Sequence, residues 1–263
     1  MLEQYFITVD GYRVRYIEDG KANAKHILCL HGLGASAGRW IKIMPILAKE
    51  YHVVAPDILG FGYSDKPDAY YTMDFFVNFV KKFVKKLKME RVILVGGSLG
   101  GHIAIETALT HDNMVEKMVL VSPAGMLKEP TSALNHYIAA AMYPTFENAK
   151  KAFQEMSGSK NVDEIYTRDF INRMQLPNAK YAFMSAIMGD KSAPSLVDRL
   201  ARIKTLTLII WGKKDALIPQ KFAKQFHSGI KGSELAIMVD CGHTPYFEKP
   251  ERFCEIVLKF LRN

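Results

Sequence analysis

The stretch VILVGGSLGG, residues 92–101, sets an uncharged apolar run against a serine with glycines on both sides. Arg91 to Val95 read as a short buried strand, and His102 to Leu109 carry apolar residues at helical spacing. The chain must therefore turn from strand to helix within a few residues, at glycines that tolerate positive φ and close backbone approach. Gly96, Gly97, Ser98, Leu99 and Gly100 spell G-x-S-x-G, a pattern that holds a serine hydroxyl exposed on a strained corner. A flexible turn beside a phosphate would use the same letters. The strand before and the helix after favour a reactive Ser98.

Further apolar runs occur at HILCL (26–30), HVVAPD (52–57), MVLVS (118–122), TLTLIIWG (205–212) and LAIMVD (235–240). Most alternate with helical patterns, which predicts crossovers and a largely parallel sheet. The N-terminus alternates in strand fashion around Asp10-Gly11, as a hairpin would. Between Gly125 and Leu206 the alternation gives way to short helical segments broken by Pro130, Pro144, Gly158, Pro177 and Pro194. The organisation expected is a core of residues 1–125 and 201–263 with a helical cap at 126–200.

A net charge of +8 would suit nucleic acid or an anionic membrane. Much of that excess sits in FVKKFVKKLKMER, where Phe79, Val80, Phe83, Val84 and Leu87 make one face and the lysines fall largely on the other. This reads as a solvated surface helix, with no aromatic residues interleaved as a single-strand binder requires. Cys29, Cys241 and Cys254 lack metal-ligand spacing and read as buried free thiols of a reducing compartment. There is no signal-peptide pattern and no run of ~18 apolar residues. The expectation is a cytoplasmic protein with no nucleic-acid partner, no membrane insertion and no metal.

A serine hydroxyl needs a base to become a nucleophile. Of the eight histidines, His26, His52, His111, His136 and His227 have no catalytic context. His31 opens HGLG and His102 follows the elbow. His243, in VDCGHTPYFEKPERF, lies just past the last strand, at the carboxyl edge where loops can bring it to Ser98. A carboxylate must then fix the imidazole tautomer. Asp215, in WGKKDALIP, follows an apolar strand and gives the chain order Ser, Asp, His. Asp240, three residues before His243, suits backbone capping better, and Asp190 falls in the helical block; both remain rivals. HGLG (31–34) offers a glycine loop whose Leu33 amide, with that of Leu99, would form an oxyanion hole. His31 then supports the loop.

LCLHGLG, APDILGFGYSD, GGSLGG, WGKKDALIP and GHTPYFEKPERF, in this order and spacing, resemble the α/β-hydrolase fold family. The resemblance implies an α/β fold with an eight-stranded, mostly parallel sheet, one antiparallel strand near the start, and an inserted helical cap. DILGFGYSD is then a structural loop after the fourth strand, with Gly60 and Gly62 at turns. A serine at the elbow departs from dehalogenases and epoxide hydrolases, whose nucleophile is Asp. Meta-cleavage product hydrolases share the serine, but usually carry Asn before it, Pro in the first glycine loop and Trp after the histidine. Here those positions hold Gly97, HGLGAS and Thr244. The resemblance therefore points to a carboxylesterase or monoacylglycerol-lipase-like enzyme that cleaves short to medium neutral acyl esters through an acyl-enzyme, without a cofactor. Carbon–carbon hydrolysis is the alternative, and a non-catalytic small-molecule receptor the third reading. Gly32, Met126, Met142, Leu217 and Thr244 are expected around the substrate. Met126, Met142, Met156, Met174, Met184 and Met188 suggest a pliable apolar lid, and residues 126–200 hold no arginine cluster to select an acid. Monomer and homodimer both stay open.

Overall fold

The computed structural model describes residues 3–263. Eight strands form one sheet: β1 (Gln4–Val9), β2 (Tyr12–Asp19), β3 (His26–Leu30), β4 (His52–Pro56), β5 (Val92–Gly97), β6 (Val115–Val121), β7 (Leu206–Gly212) and β8 (Glu234–Met238). Their spatial order is β1-β2-β4-β3-β5-β6-β7-β8. β2 runs antiparallel to both neighbours, and from β4 onward every pairing is parallel. Asp10 and Gly11, with φ of +51° and +83°, make the left-handed pair that a two-residue hairpin requires.

The central strands read as continuous apolar runs because helices cover both faces of the sheet. One face buries Leu28, Leu94, Leu120 and Ile209 against α2 (Met73–Lys86), α3 (Leu99–Thr110) and α8 (Lys221–Gly229). The alternate residues Ile27, Ile93, Val119 and Ile210 pack with α1 (Met44–Leu47) and α10 (Pro250–Arg262). In α2, Phe76, Phe79, Val80, Phe83 and Val84 are buried while Lys81, Lys85 and Lys86 are exposed, as the amphipathic pattern requires.

Between β6 and β7 lie α4 (Ser132–Met142), α5 (Phe146–Ser157), α6 (Glu164–Met174) and α7 (Ala179–Ser192). The first three start where sequence chemistry dictates: Thr131, Thr145 and Asp163 accept the amides of Leu134, Asn148 and Tyr166. α9 (Pro245–Glu248) precedes α10. The inserted helices share one hydrophobic core with the α2/α3/α8 face of the sheet, through residues such as Tyr137, Phe170 and Phe183. Cys29, Cys241 and Cys254 are buried free thiols. Among the described residues no helix is long and apolar enough to cross a membrane.

Candidate active site

Ser98 stands at the end of β5 with φ +55° and ψ −121°, a region that side chains rarely adopt. The turn is this tight because a Cβ at Gly96 would lie 2.3 Å from Gly100 O, and one at Gly100 would lie 2.0 Å from Leu30 O. The Ser98 amide donates to Val121 O at 2.9 Å and its carbonyl accepts the Ala124 amide at 3.0 Å. The elbow is thus fastened to β6 and the turn after it.

His243 Nδ1 lies 2.8 Å from Asp215 Oδ2. Asp215 Oδ1 accepts the amides of Leu217 (3.0 Å) and Ile218 (2.9 Å), so the loop after β7 orients the carboxylate. The His243 amide donates to Met156 O at 2.8 Å, which ties the histidine loop to the end of α5. Ser98 and His243 line the same two cavities, with no hydrogen bond between them among the described residues. Such pairs commonly close only on a bound substrate. Neither rival carboxylate bonds His243: Asp240 is exposed on an outer cleft, and Asp190, although it lines a cavity with Ser98 and His243, binds His102.

His31 is a loop support. Its Nδ1 donates to Gly32 O at 2.8 Å and its Nε2 accepts the Ile58 amide at 2.9 Å. Accepting the Ile58 amide needs a neutral ring with its proton on Nδ1, and burial pushes its pKa down to about 4. His102 is the opposite case. It bonds Asp190 Oδ1 at 2.7 Å, and its Nε2 forms a 3.5 Å ion pair with Glu106, which Arg199 clamps through two bonds of 2.6 and 2.7 Å. Burial opposes protonation, but Asp190 and Glu106 outweigh it and raise the imidazole to about 9.

The Leu33 and Leu99 amides donate to no protein acceptor among the described residues, and so are free for a ligand oxygen. The Leu33 loop is held by its carbonyls instead. Tyr137 Oη of α4 donates to Leu33 O, and Arg173 Nη1 of α6 to Gly34 O, both at 2.7 Å. Gly32 approaches so closely that a Cβ there would lie 3.0 Å from Ser98 Cβ.

A family model described as alpha/beta hydrolase fold matches residues 25–250. The chain belongs to that family. This hydrolase is 30% identical over 262 residues to a 2-hydroxy-6-oxononadienedioate/2-hydroxy-6-oxononatrienedioate hydrolase of Escherichia coli, covering 95% of this chain and 91% of that one. Its structure resembles a meta-cleavage product hydrolase from Pseudomonas fluorescens, with TM-score 0.90, 26% identity and coverage of 99% and 98%. It also resembles a membrane phospholipase A described as a bacterial virulence factor, with TM-score 0.85, 25% identity and coverage of 99% and 86%.

In this hydrolase the main cavity beside Ser98 and His243 measures about 240 Å³ and is walled by Leu33, Leu134, Ile138, Ile187, Leu217 and neighbours. A smaller one of about 50 Å³ also touches Ser98 and His243 and is bounded by Gly32, Arg39, Tyr137, Met156, Thr244 and Tyr246. Of the residues expected around the substrate, Gly32, Leu217 and Thr244 line these cavities, whereas Met126 faces a groove against α8 and Met142 borders neither cavity. Leu134 and Ile138 take the cavity face of α4, and four residues further on the helix has advanced roughly 6 Å, past its end. The methionine-lined lid reduces to Met156 and Met188, and leucine and isoleucine are the commonest residues of the wall.

The departures at Gly97 and Thr244 have local causes. A Cβ at Gly97 would lie 3.0 Å from Tyr246 Oη, so the tyrosine fills the space that a side chain there would need. Thr244 donates its amide and hydroxyl to Glu248 Oε1 at 2.9 and 3.1 Å, which folds the histidine loop onto α9. Arg39, Tyr137 and Arg173 were not singled out as site residues in the sequence, and Met156 only as one of the lid's methionines. Only the glycine loops and the WGKKDALIP and GHTPYFEKPERF segments carried a local signal.

Proposed function

We propose that this hydrolase is a serine-triad enzyme that cleaves a carbon–carbon bond beside a ketone in a small, carboxylate-bearing substrate. The observation that carries the reaction class is Ser98 facing His243–Asp215 across a cavity next to two free amides. The bond type rests on relatives named for dienoate hydrolysis that align over nearly the whole chain. His243 takes the Ser98 proton as Oγ adds to the ketone carbon, and the Leu33 and Leu99 amides hold the oxyanion. The carbon–carbon bond then breaks, its electron pair goes to the leaving carbon, and His243 returns a proton to that fragment. Water repeats the sequence on the acyl-enzyme and frees Ser98. Residues 126–200 serve as a cap domain over the site.

Ester hydrolysis is the second reading, favoured by Gly97 and Thr244, and it uses the same parts with an alkoxide leaving. The test is kcat/KM for a vinylogous 2-hydroxy-6-oxo-dienoate, followed by loss of its chromophore, against p-nitrophenyl esters from acetate to dodecanoate. A higher value for the dienoate supports carbon–carbon hydrolysis. A higher value for any ester overturns it, and saturable binding with no turnover of either class would leave a receptor.

A further inference from the structure

Arg39 sits in the short 3-10 turn Ala37–Trp40 that follows the glycine loop, and only 6% of its surface is exposed. The other two buried arginines have carboxylate partners: Arg15 pairs with Asp57 at 3.0 Å and Arg173 with Asp169 at 2.8 Å. Arg39 has none within 4.0 Å among the described residues. Its one side-chain hydrogen bond runs from Nη2 to Met156 Sδ at 3.1 Å, a weak acceptor. Tyr166, Phe247 and Phe153 surround its Cζ with ring centroids at 4.0, 4.7 and 5.7 Å. Ring faces stabilise a cation but accept no hydrogen bonds in the guanidinium plane. The remaining Arg39 donors have no protein acceptor and open onto the cavities that the side chain lines, so they stay available to a carboxylate, the planar acceptor that matches the guanidinium fork.

The position of this cation gives it a use. Arg39 lines the 50 Å³ cavity that also holds Ser98 and His243, a volume of one or two water-sized groups. With Met156, Tyr166 and Thr244 it separates that cavity from an outer cleft of about 660 Å³. The 240 Å³ chamber, which shares Leu33, Ser98, Leu134, Leu217 and His243 with the smaller cavity, is mostly apolar. We infer that Arg39 anchors the substrate's carboxylate, so that the ligand lies across Ser98 with its acid toward Arg39 and its apolar part in the larger chamber. This inference rests on the serine-hydrolase reading and adds the ligand class and the residue that selects it. The rival cations Lys128 and Lys191, at the mouth of the apolar chamber, are solvent-exposed and screened.

The test compares mono-p-nitrophenyl glutarate with p-nitrophenyl pentanoate as a ratio of kcat/KM. Arg39→Gln should lower the anionic-to-neutral ratio tenfold or more, chiefly through KM, and Arg39→Lys should recover part of it. The double variant Lys128→Gln/Lys191→Gln should shift the ratio less than threefold. An equal loss on both esters in Arg39→Gln would reduce Arg39 to a packing element, and a ratio that follows the lysines would move the anchor; either result overturns the inference. A readout without turnover is calorimetry of the Ser98→Ala protein with 4-phenylbutyrate and 4-phenylbutyramide. Tighter binding of the acid, lost in Ser98→Ala/Arg39→Gln, supports the anchor, and equal binding of the two ligands overturns it. If esters are cleaved and the dienoate is not, the carbon–carbon reading falls while these ratios still decide Arg39. If the dienoate is cleaved and the ratios ignore Arg39, the anchor alone falls.

Discussion

Asp215 offers its two carboxylate oxygens to different tasks: Oδ2 faces His243 Nδ1 at 2.8 Å while Oδ1 accepts the Leu217 and Ile218 amides. The loop therefore sets the acid, and the acid sets the imidazole. Asp215→Asn should lower kcat by roughly 10⁴ through the wrong histidine tautomer. Asp240→Asn, at an exposed position, should change it less than about twofold, within the small effects of surface substitutions. Steady-state rates of the two variants on one substrate check this, and a larger loss at Asp240 would reassign the acid.

Ser98 carries both the reactive hydroxyl and a strained backbone. Ser98→Ala should cost about three to six decades in kcat. Ser98→Gly should be equally inactive but more stable than Ser98→Ala by about 1–3 kcal/mol, because glycine adopts this φ without the steric penalty. Urea denaturation of the two variants measures the difference; equal midpoints would show that the elbow is unstrained.

His102 joins the elbow helix to α7 through Asp190, and its folded pKa is raised to about 9. The unfolded value is near ~6.5. The folded state thus holds a proton that the unfolded chain releases, and the stability gained is full below about 6.5 and disappears as pH climbs through about 9. The stability gap between wild type and His102→Leu should be widest near pH 6 and shrink steadily toward pH 9.5. Denaturant midpoints across that range provide the measurement, and a constant gap would mean that His102 contributes by packing alone.

Tyr137 reaches from α4 to hold the Leu33 carbonyl. Removing that hydroxyl in Tyr137→Phe frees the loop that carries one oxyanion donor. The expected cost is about tenfold in kcat with KM little changed, and about 1 kcal/mol in stability. A rise in KM at constant kcat would instead place the hydroxyl in ground-state binding.

What the sequence determined by itself lies in local backbone demands and burial period. Apolar runs covered on both faces marked the parallel strands, the Asp10-Gly11 pair marked the hairpin, and GGSLGG marked a turn that only glycines permit on either side of Ser98. The chain order Ser98, Asp215, His243 followed because each residue comes after a strand, at the same sheet edge. Tertiary structure alone decided which side chains of the inserted helices reach that edge. Arg39 meets Met156 across 117 positions, Tyr137 meets Leu33 across 104, and Arg173 meets Gly34 across 139. Such contacts depend on how helices dock rather than on spacing along any one of them. The same docking left Met126 and Met142 outside the cavity, because helical periodicity fixes a residue's face but not where along the helix the cavity ends.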